Sequence, residues 1–246
     1  MKAEEKSIGE ANYEQFADRY AAMVDSKPHN AEYNFPAVIG LLPDVNGLNV
    51  LDAGCGPGSF SEWLLERGAS VTGFDVTPRM VELAAERVAS NADLFVHDLN
   101  DPLTFAGDSS FDLVICPLVL DYIKAWEPVF REFARVLKPG GTFVYSVGHP
   151  VNDVLWLKYR LKREINYFRI EAHAVEWSGF GEPKPQIRFY RRPFSEMLNP
   201  LIKTGFRIDH ILEPLPTEGF KQKNPQKYAN LMVEPGFICV RAICTK

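Results

Sequence analysis

Hydrophobic and polar positions change period several times along the chain, and each change predicts an element. From Ala11 to Asp25 apolar side chains fall at Tyr13, Phe16, Ala17, Tyr20, Ala21 and Val24, the spacing of one amphipathic helix. A second helix is expected over Asn34 to Leu42, stopped by Pro43, since proline lacks the N–H that would continue it. From Leu48 onward strand and helix patterns alternate. Asn49 to Asp52 reads as a short buried strand running into glycines. Gly58 to Arg67 puts Phe60, Trp63 and Leu64 on one helical face, with Gly68 as its stop. Ser70 to Phe74 is the next strand, and Thr77 with Pro78 opens a helix reaching Val88. Leu94 to His97 is a third strand. Phe111 to Cys116 is a fourth, apolar almost throughout, as a parallel strand covered on both faces must be. Trp126 to Leu137 is a helix broken by Lys138-Pro139-Gly140-Gly141, and Thr142 to Val147 is a fifth strand. A helix over Phe194 to Thr204 ends at Gly205, Phe206 to Leu212 is a strand, and Gly236 to Thr245 closes the chain antiparallel to its neighbours.

This order implies an α/β fold: a Rossmann-like, doubly wound, mostly parallel seven-stranded sheet with an antiparallel last strand and an inserted lid. One domain is expected over 1–246. It divides into a helical cap at 1–44, a ligand-binding core at 45–150, an aromatic lid at 151–192 and the rest of the sheet at 193–246. The lid stands apart in composition. It holds nine Lys/Arg against five Asp/Glu, net +4, which leaves 18 basic and 27 acidic residues elsewhere. In such folds ligands bind beyond the carboxyl ends of the strands, so the turns there are where chemistry should lie.

Composition removes several function classes. With 46% hydrophobic residues over 246 positions, the chain buries a core without disulfide staples. The longest apolar run, Leu113 to Leu120, has eight residues where a membrane helix needs about 20, so stable membrane insertion is not expected. The charged start MKAEEKSIGE resembles no secretory leader. A net charge of −5 disfavours nucleic acid, whose phosphates call for a basic surface. Cys55, Cys116, Cys239 and Cys244 form no CxxC pair. They read as free thiols of a cytoplasmic protein without a metal site.

The richest local signal is Val50-Leu51-Asp52-Ala53-Gly54-Cys55-Gly56-Pro57-Gly58. A buried strand ends, and three glycines at alternate positions let the backbone approach a ligand closely at the start of a helix. Asp75 follows 21 residues after Gly54, at the end of the second strand, where a carboxylate accepts from a ribose hydroxyl pair. A dinucleotide turn reads GxGxxG; this one reads GxGxG, and a pyrophosphate would be repelled by the carboxylate of Asp52. A ligand with an amine and a sulfonium suits the position, which describes S-adenosylmethionine.

VLDAGCGPGSF resembles the first motif of class I S-adenosylmethionine-dependent methyltransferases. Matching segments follow in order: Gly73-Phe74-Asp75-Val76, His97-Asp98-Leu99, Phe111-Asp112-Leu113-Val114-Ile115 and Leu137-Lys138-Pro139-Gly140-Gly141. The likeness covers about residues 45–148 and is closest to the type 11 group. Val147-Gly148-His149-Pro150 and Glu213-Pro214-Leu215-Pro216 are similar to a subgroup acting on small molecules. The resemblance implies that Gly54, Gly56 and the neighbouring backbone of Cys55 and Gly58 line the methionine portion, with Asp52 near its amino group. It implies Asp75 on the ribose, Val76 and Met80 beside the adenine, Asp98 on the adenine amino group and Leu99 against the ring. Cys116 would approach by its backbone, and Tyr20 would close over the site. The product would be S-adenosylhomocysteine.

For the acceptor, three side chains are candidates for proton removal or contact. His149 follows the fifth strand and titrates near neutrality; Asp121 and Tyr122 follow the fourth. Related sequences often carry histidine where Asp121 stands. Trp156 and Tyr159, three apart on an expected helix, are the first choices for walls of a pocket taking a planar or lipophilic acceptor. Each of these residues also has a plain structural reading, as a loop histidine, ordinary helix positions or lid packing. Three rival functions remain at this level: a nicotinamide-dependent oxidoreductase, a non-catalytic S-adenosylmethionine-binding regulator, and a protein or RNA methyltransferase. Monomer and homodimer are equally compatible with the sequence.

Overall fold

The structure, a computed structural model, describes residues 6–246. Among these residues nine strands occur: β1 (Asn49–Ala53), β2 (Ser70–Asp75), β3 (Ala92–Val96), β4 (Phe111–Pro117), β5 (Leu137–Gly148), β6 (Glu171–Glu176), β7 (Gln186–Arg191), β8 (Phe206–Leu212) and β9 (Phe237–Cys244). Seven of them form one sheet in the order β3-β2-β1-β4-β5-β9-β8, while β6 and β7 make a separate hairpin. β1 to β5 run parallel, and β9 runs antiparallel to both β5 and β8. The expected fold class is therefore present, with the antiparallel strand inside the sheet rather than at its rim. Strand order reverses at β1/β4, so the carboxyl ends of β1, β2 and β4 open onto one crevice.

Two apolar layers hold the sheet. Along β4, Val114 and Cys116 belong to one layer, where they meet Phe130 and Phe133. Leu113 and Ile115 belong to the other, with Val38, Leu64 and Val71. Alternate residues of one strand thus serve opposite faces, which explains why its sequence shows no polar alternation. The covering helices are α1 (Ile8–Tyr13), α2 (Ala17–Ala21), α3 (Phe35–Ile39), α4 (Ser59–Leu65), α5 (Pro78–Val88), α6 (Trp126–Val136), α7 (Pro150–Val154), α8 (Ser195–Lys203), α9 (Glu218–Lys223) and α10 (Pro225–Leu231). No helix among the described residues is long and apolar enough to cross a membrane.

Several boundaries differ from the periodic pattern. The single helix expected over 11–25 is two short ones, α1 and α2. Asn12 exchanges two hydrogen bonds with the Arg188 backbone, at 2.8 and 2.9 Å, and Gln15 does the same with Gln186 at 3.2 and 3.3 Å. These anchors pin α1 along β7, and the chain breaks so that Phe16 turns onto Phe180 and Ile187. Tertiary contacts here outrank local helix propensity. The second expected helix begins with a wide π-helical turn at Asn30–Asn34 and ends at Ile39. The segment from Lys138 to Gly141 does not separate helix from strand. It continues β5, with Lys138 Nζ donating to Asp112 Oδ1 at 2.7 Å. The lid is a short helix, a wide turn over Leu155–Arg160, an irregular connection and the β6–β7 hairpin; no sequence period announced the hairpin.

Candidate functional site

A cavity of about 500 Å³ lies at the carboxyl ends of β1, β2 and β4. The core supplies one side of it. At the end of β1, Gly54 has φ +80°, and a Cβ there would lie 2.3 Å from Val119 Cγ2, so only glycine lets the turn pass the β4 loop. Asp75 ends β2; its Oδ2 accepts the Gly56 N–H at 3.0 Å and its Oδ1 accepts the Thr77 N–H at 2.8 Å. Each carboxylate oxygen therefore retains a lone pair. Burial raises the Asp75 pKa, with those backbone donors opposing the rise. Asp98 Oδ1 accepts from Asn100, backbone and side chain, at 2.8 and 2.7 Å. Val76, Met80 and Leu99 add an apolar strip to the same wall.

The cap, together with Tyr122 from the loop after β4, supplies another side. The Tyr13 and Tyr122 hydroxyls are 2.9 Å apart, and the Tyr20 ring stands edge-on to Tyr13 at 5.1 Å; all three line the cavity. Burial raises the pKa of Tyr20 to about 12 and that of Tyr13 and Tyr122 as well. At neutral pH these hydroxyls are hydrogen-bonding groups, not bases.

Of the residues singled out from sequence, the structure brings Tyr20, Gly54, Cys55, Gly56, Asp75, Val76, Met80, Asp98, Leu99 and Tyr122 together around this cavity. It places the others elsewhere. Asp52 is buried beneath the turn, accepting from Ser61 Oγ at 2.7 Å, and burial pushes its pKa up to about 7. Gly58 caps α4, and a Cβ there would press on Ala84 of α5 at 3.2 Å, so it is needed for helix packing. Cys116 is fully buried in the sheet.

The acceptor-side expectations need correction. His149 Nδ1 accepts the Val151 N–H at 3.2 Å, capping α7. Its Nε2 then carries the proton and donates to Glu213 Oε1 at 2.7 Å. Burial lowers its pKa against the pull of Glu213, so the ring is a neutral cap with both nitrogens committed. Asp121 Oδ2 accepts the Gly148 N–H at 3.0 Å, behind the cavity wall; burial moves its pKa up to about 6. Trp156 stacks on Phe189 of the hairpin with ring centroids 6.3 Å apart, and Tyr159 is 64% exposed. Neither is a wall of the cavity, because the segment that carries them packs against the β6–β7 hairpin and contributes no lining residue.

Other lining residues were not assigned to the site from sequence. Asn34, Phe35, Phe60 and Trp63 reach the cavity from the cap and α4. His97 lines it with a buried Nε2 that has no partner among the described residues. Leu118 adopts φ +58° at the end of β4, and its N–H donates to Ser146 O at 2.8 Å. Tyr13 was readable as part of the apolar helical stripe, though not as a cavity residue.

Residues 51–145 match the family described as a methyltransferase domain. An uncharacterized protein of Haemophilus influenzae is 26% identical over 222 residues, covering 84% of this chain and 85% of that protein. The demethylmenaquinone methyltransferase of Tropheryma whipplei is 33% identical over 147 residues, 57% of this chain; the match spans 61% of that enzyme's length. Among solved structures, an S-adenosylmethionine-dependent methyltransferase from Mesorhizobium loti superimposes with a TM-score of 0.68 at 26% identity, covering 89% of this chain and 99% of that one.

Proposed function

We propose, for a chain that belongs to the class I S-adenosylmethionine-dependent methyltransferases, that the methyl acceptor is a small molecule and that transfer is an in-line displacement within the 500 Å³ cavity. S-adenosylmethionine is the cofactor of this family. The residues present fit it. Asp75 offers one open lone pair on each oxygen, the number a pair of ribose hydroxyls needs. The space where a Cβ of Gly56 would project is open, leaving backbone accessible for the methionine portion. Val76, Met80 and Leu99 form a slot for the base, with Asp98 and His97 at its edge. When bound, the sulfonium supplies an electrophilic methyl group; the protein contributes alignment, which in favourable cases is worth about 7–11 kcal/mol.

The observation that carries the small-molecule reading is the aromatic wall of Tyr13, Tyr20 and Tyr122 on a cavity whose charged lining is mostly acidic. Asp25, Glu62, Glu66, Asp75 and Asp98 line it against Arg87, which is held by Asp25 at 2.6 Å. Such a site repels a phosphate backbone. The name of the Tropheryma relative, a demethylmenaquinone methyltransferase, supports an acceptor of modest size. With His149 and Asp121 committed elsewhere and the tyrosines protonated, positioning dominates over proton abstraction. This favours an acceptor atom that does not hold its proton tightly.

Calorimetry with S-adenosylmethionine and S-adenosylhomocysteine tests the cofactor side; no binding at millimolar ligand would sink it. Mass-detected methyl transfer to a panel of uncharged ring compounds, with a transfer RNA and a peptide library alongside, tests the acceptor side. Turnover confined to the macromolecules would overturn the small-molecule reading.

A further inference from the structure

The connection between α7 and β6 presents a surface unlike the rest of this acidic chain. Residues 158–169 carry Lys158, Arg160, Lys162, Arg163 and Arg169 against one acid, Glu164. All six are exposed, as are Tyr159, Leu161 at 40% and Phe168 at 85%. Among the described residues, Arg160 is the one of these bases in an ion pair, with Glu234 at 2.6 Å. That pair sets the neighbouring tip of Met232 and Val233, the latter 81% exposed, against the same segment.

Phe168 is held outward by construction. Arg191 of β7 is fully buried, and its guanidinium lies under the turn. Nη1 donates to Tyr167 O at 3.1 Å, and Nη2 donates to Asn166 O at 2.7 Å and to Arg169 O. Asn166 Oδ1 accepts the Phe168 N–H at 3.0 Å. The Tyr167 hydroxyl accepts the Phe194 N–H at 3.2 Å, drawing a second partly exposed ring, at 40%, to the same turn. A buried cation that is hydrogen-bonded to successive carbonyls fixes a loop. Here the loop it fixes displays an apolar ring to solvent, where a phenylalanine gains nothing unless something apolar covers it.

We infer that residues 158–169, with the Met232–Val233 tip, dock on an anionic lipid bilayer. Aromatic and aliphatic tips fit the boundary between headgroups and acyl chains, and a segment of net +4 complements negative headgroups. A second copy of the chain is a poorer occupant, because this face would meet its own positive charge. The inference concerns a surface outside the cavity and does not rest on the acceptor assignment.

Flotation of the full chain with phosphatidylcholine vesicles, with and without phosphatidylglycerol, is the test. The protein floats with the phosphatidylglycerol vesicles, far less with phosphatidylcholine alone, and is released by salt. Phe168→Ser, and Lys162→Glu combined with Arg163→Glu, each lower the bound fraction by roughly tenfold. Calorimetric affinity for S-adenosylhomocysteine stays the same in both variants, which separates loss of docking from loss of fold or cofactor site. Absence of flotation on phosphatidylglycerol vesicles, or flotation indifferent to both variants, overturns the proposal. So does a dimer in sedimentation that Phe168→Ser dissolves without any vesicle binding.

Discussion

The half of the molecule built on β1 to β5 and the cap built from α1, α2 and the β6–β7 hairpin are held by different physics. In the first, Val114, Phe130 and Phe133 are wholly removed from water and strand register is fixed residue by residue. In the second, side chains clasp backbone across the gap, as Asn12 does to Arg188. Aromatic edges meet at Tyr13, Phe16, Tyr20 and Phe180, and ion pairs such as Asp18–Arg79 lie in solvent. The cavity forms where the two meet, taking Asp75 from the sheet side and Tyr20 from the cap.

Five experiments break or sharpen this contrast. The largest effect is expected from Phe130→Ala, a cavity in the core costing about 3–5 kcal/mol in urea or thermal unfolding. Asp75→Ala should weaken S-adenosylhomocysteine by roughly 2 kcal/mol, about 30-fold, through loss of charge-assisted hydrogen bonds; an unchanged calorimetric constant would refute the ribose assignment. Asn12→Ala removes both clasps to Arg188 and is expected to cost about 1–3 kcal/mol. Amide exchange should quicken in residues 171–191 while β4 amides stay protected; equal loosening of both would erase the distinction drawn here.

The fourth concerns pH. Burial against Phe220, with Lys227 and Lys27 nearby, takes His29 in the cap down to about 4, below its ordinary value of about 6.5. The unfolded chain then binds the proton more readily, so stability declines as pH falls from about 6.5 toward 4. For Asp52 the folded value near 7 lies above the ordinary carboxylate value, so its contribution declines as pH rises toward 7. The two contributions oppose each other over the same window, so in a plot of melting temperature against pH between about 4 and 7 His29→Asn should tilt the curve downward with rising pH and Asp52→Asn should tilt it upward. A slope unchanged by a variant would discard that residue's part. The smallest effect is expected from Arg79→Ala at the exposed pair with Asp18: below about 1 kcal/mol and reduced further by salt. A larger loss in urea unfolding would mean the cap is more firmly tied than its contacts imply.

How far the sequence reveals all this follows the same divide. The strands and their glycine turn were legible because burial on two faces writes itself as apolar runs, and because Gly54 and Asp75 sit where backbone geometry demands them. The cap was not, because its order comes from partners distant in sequence: Asn12 and Gln15 find β7 some 171–176 residues later. His149 shows a further limit. A histidine after a strand at the carboxyl edge has the address of a base, yet the Val151 N–H and Glu213 decide what its nitrogens do. Trp156 and Tyr159 fail as walls because the insertion that carries them packs on its own hairpin, away from the cavity.

The position of β9 between β5 and β8 has a bearing on biosynthesis. While the polypeptide emerges from the ribosome, β8 has no partner within reach, since the ladder joining it to the sheet is supplied only by residues 237–244. The half-made sheet must therefore wait with the flank of β5 uncovered, a template for stray strand pairing that vanishes once the final ladder zips shut.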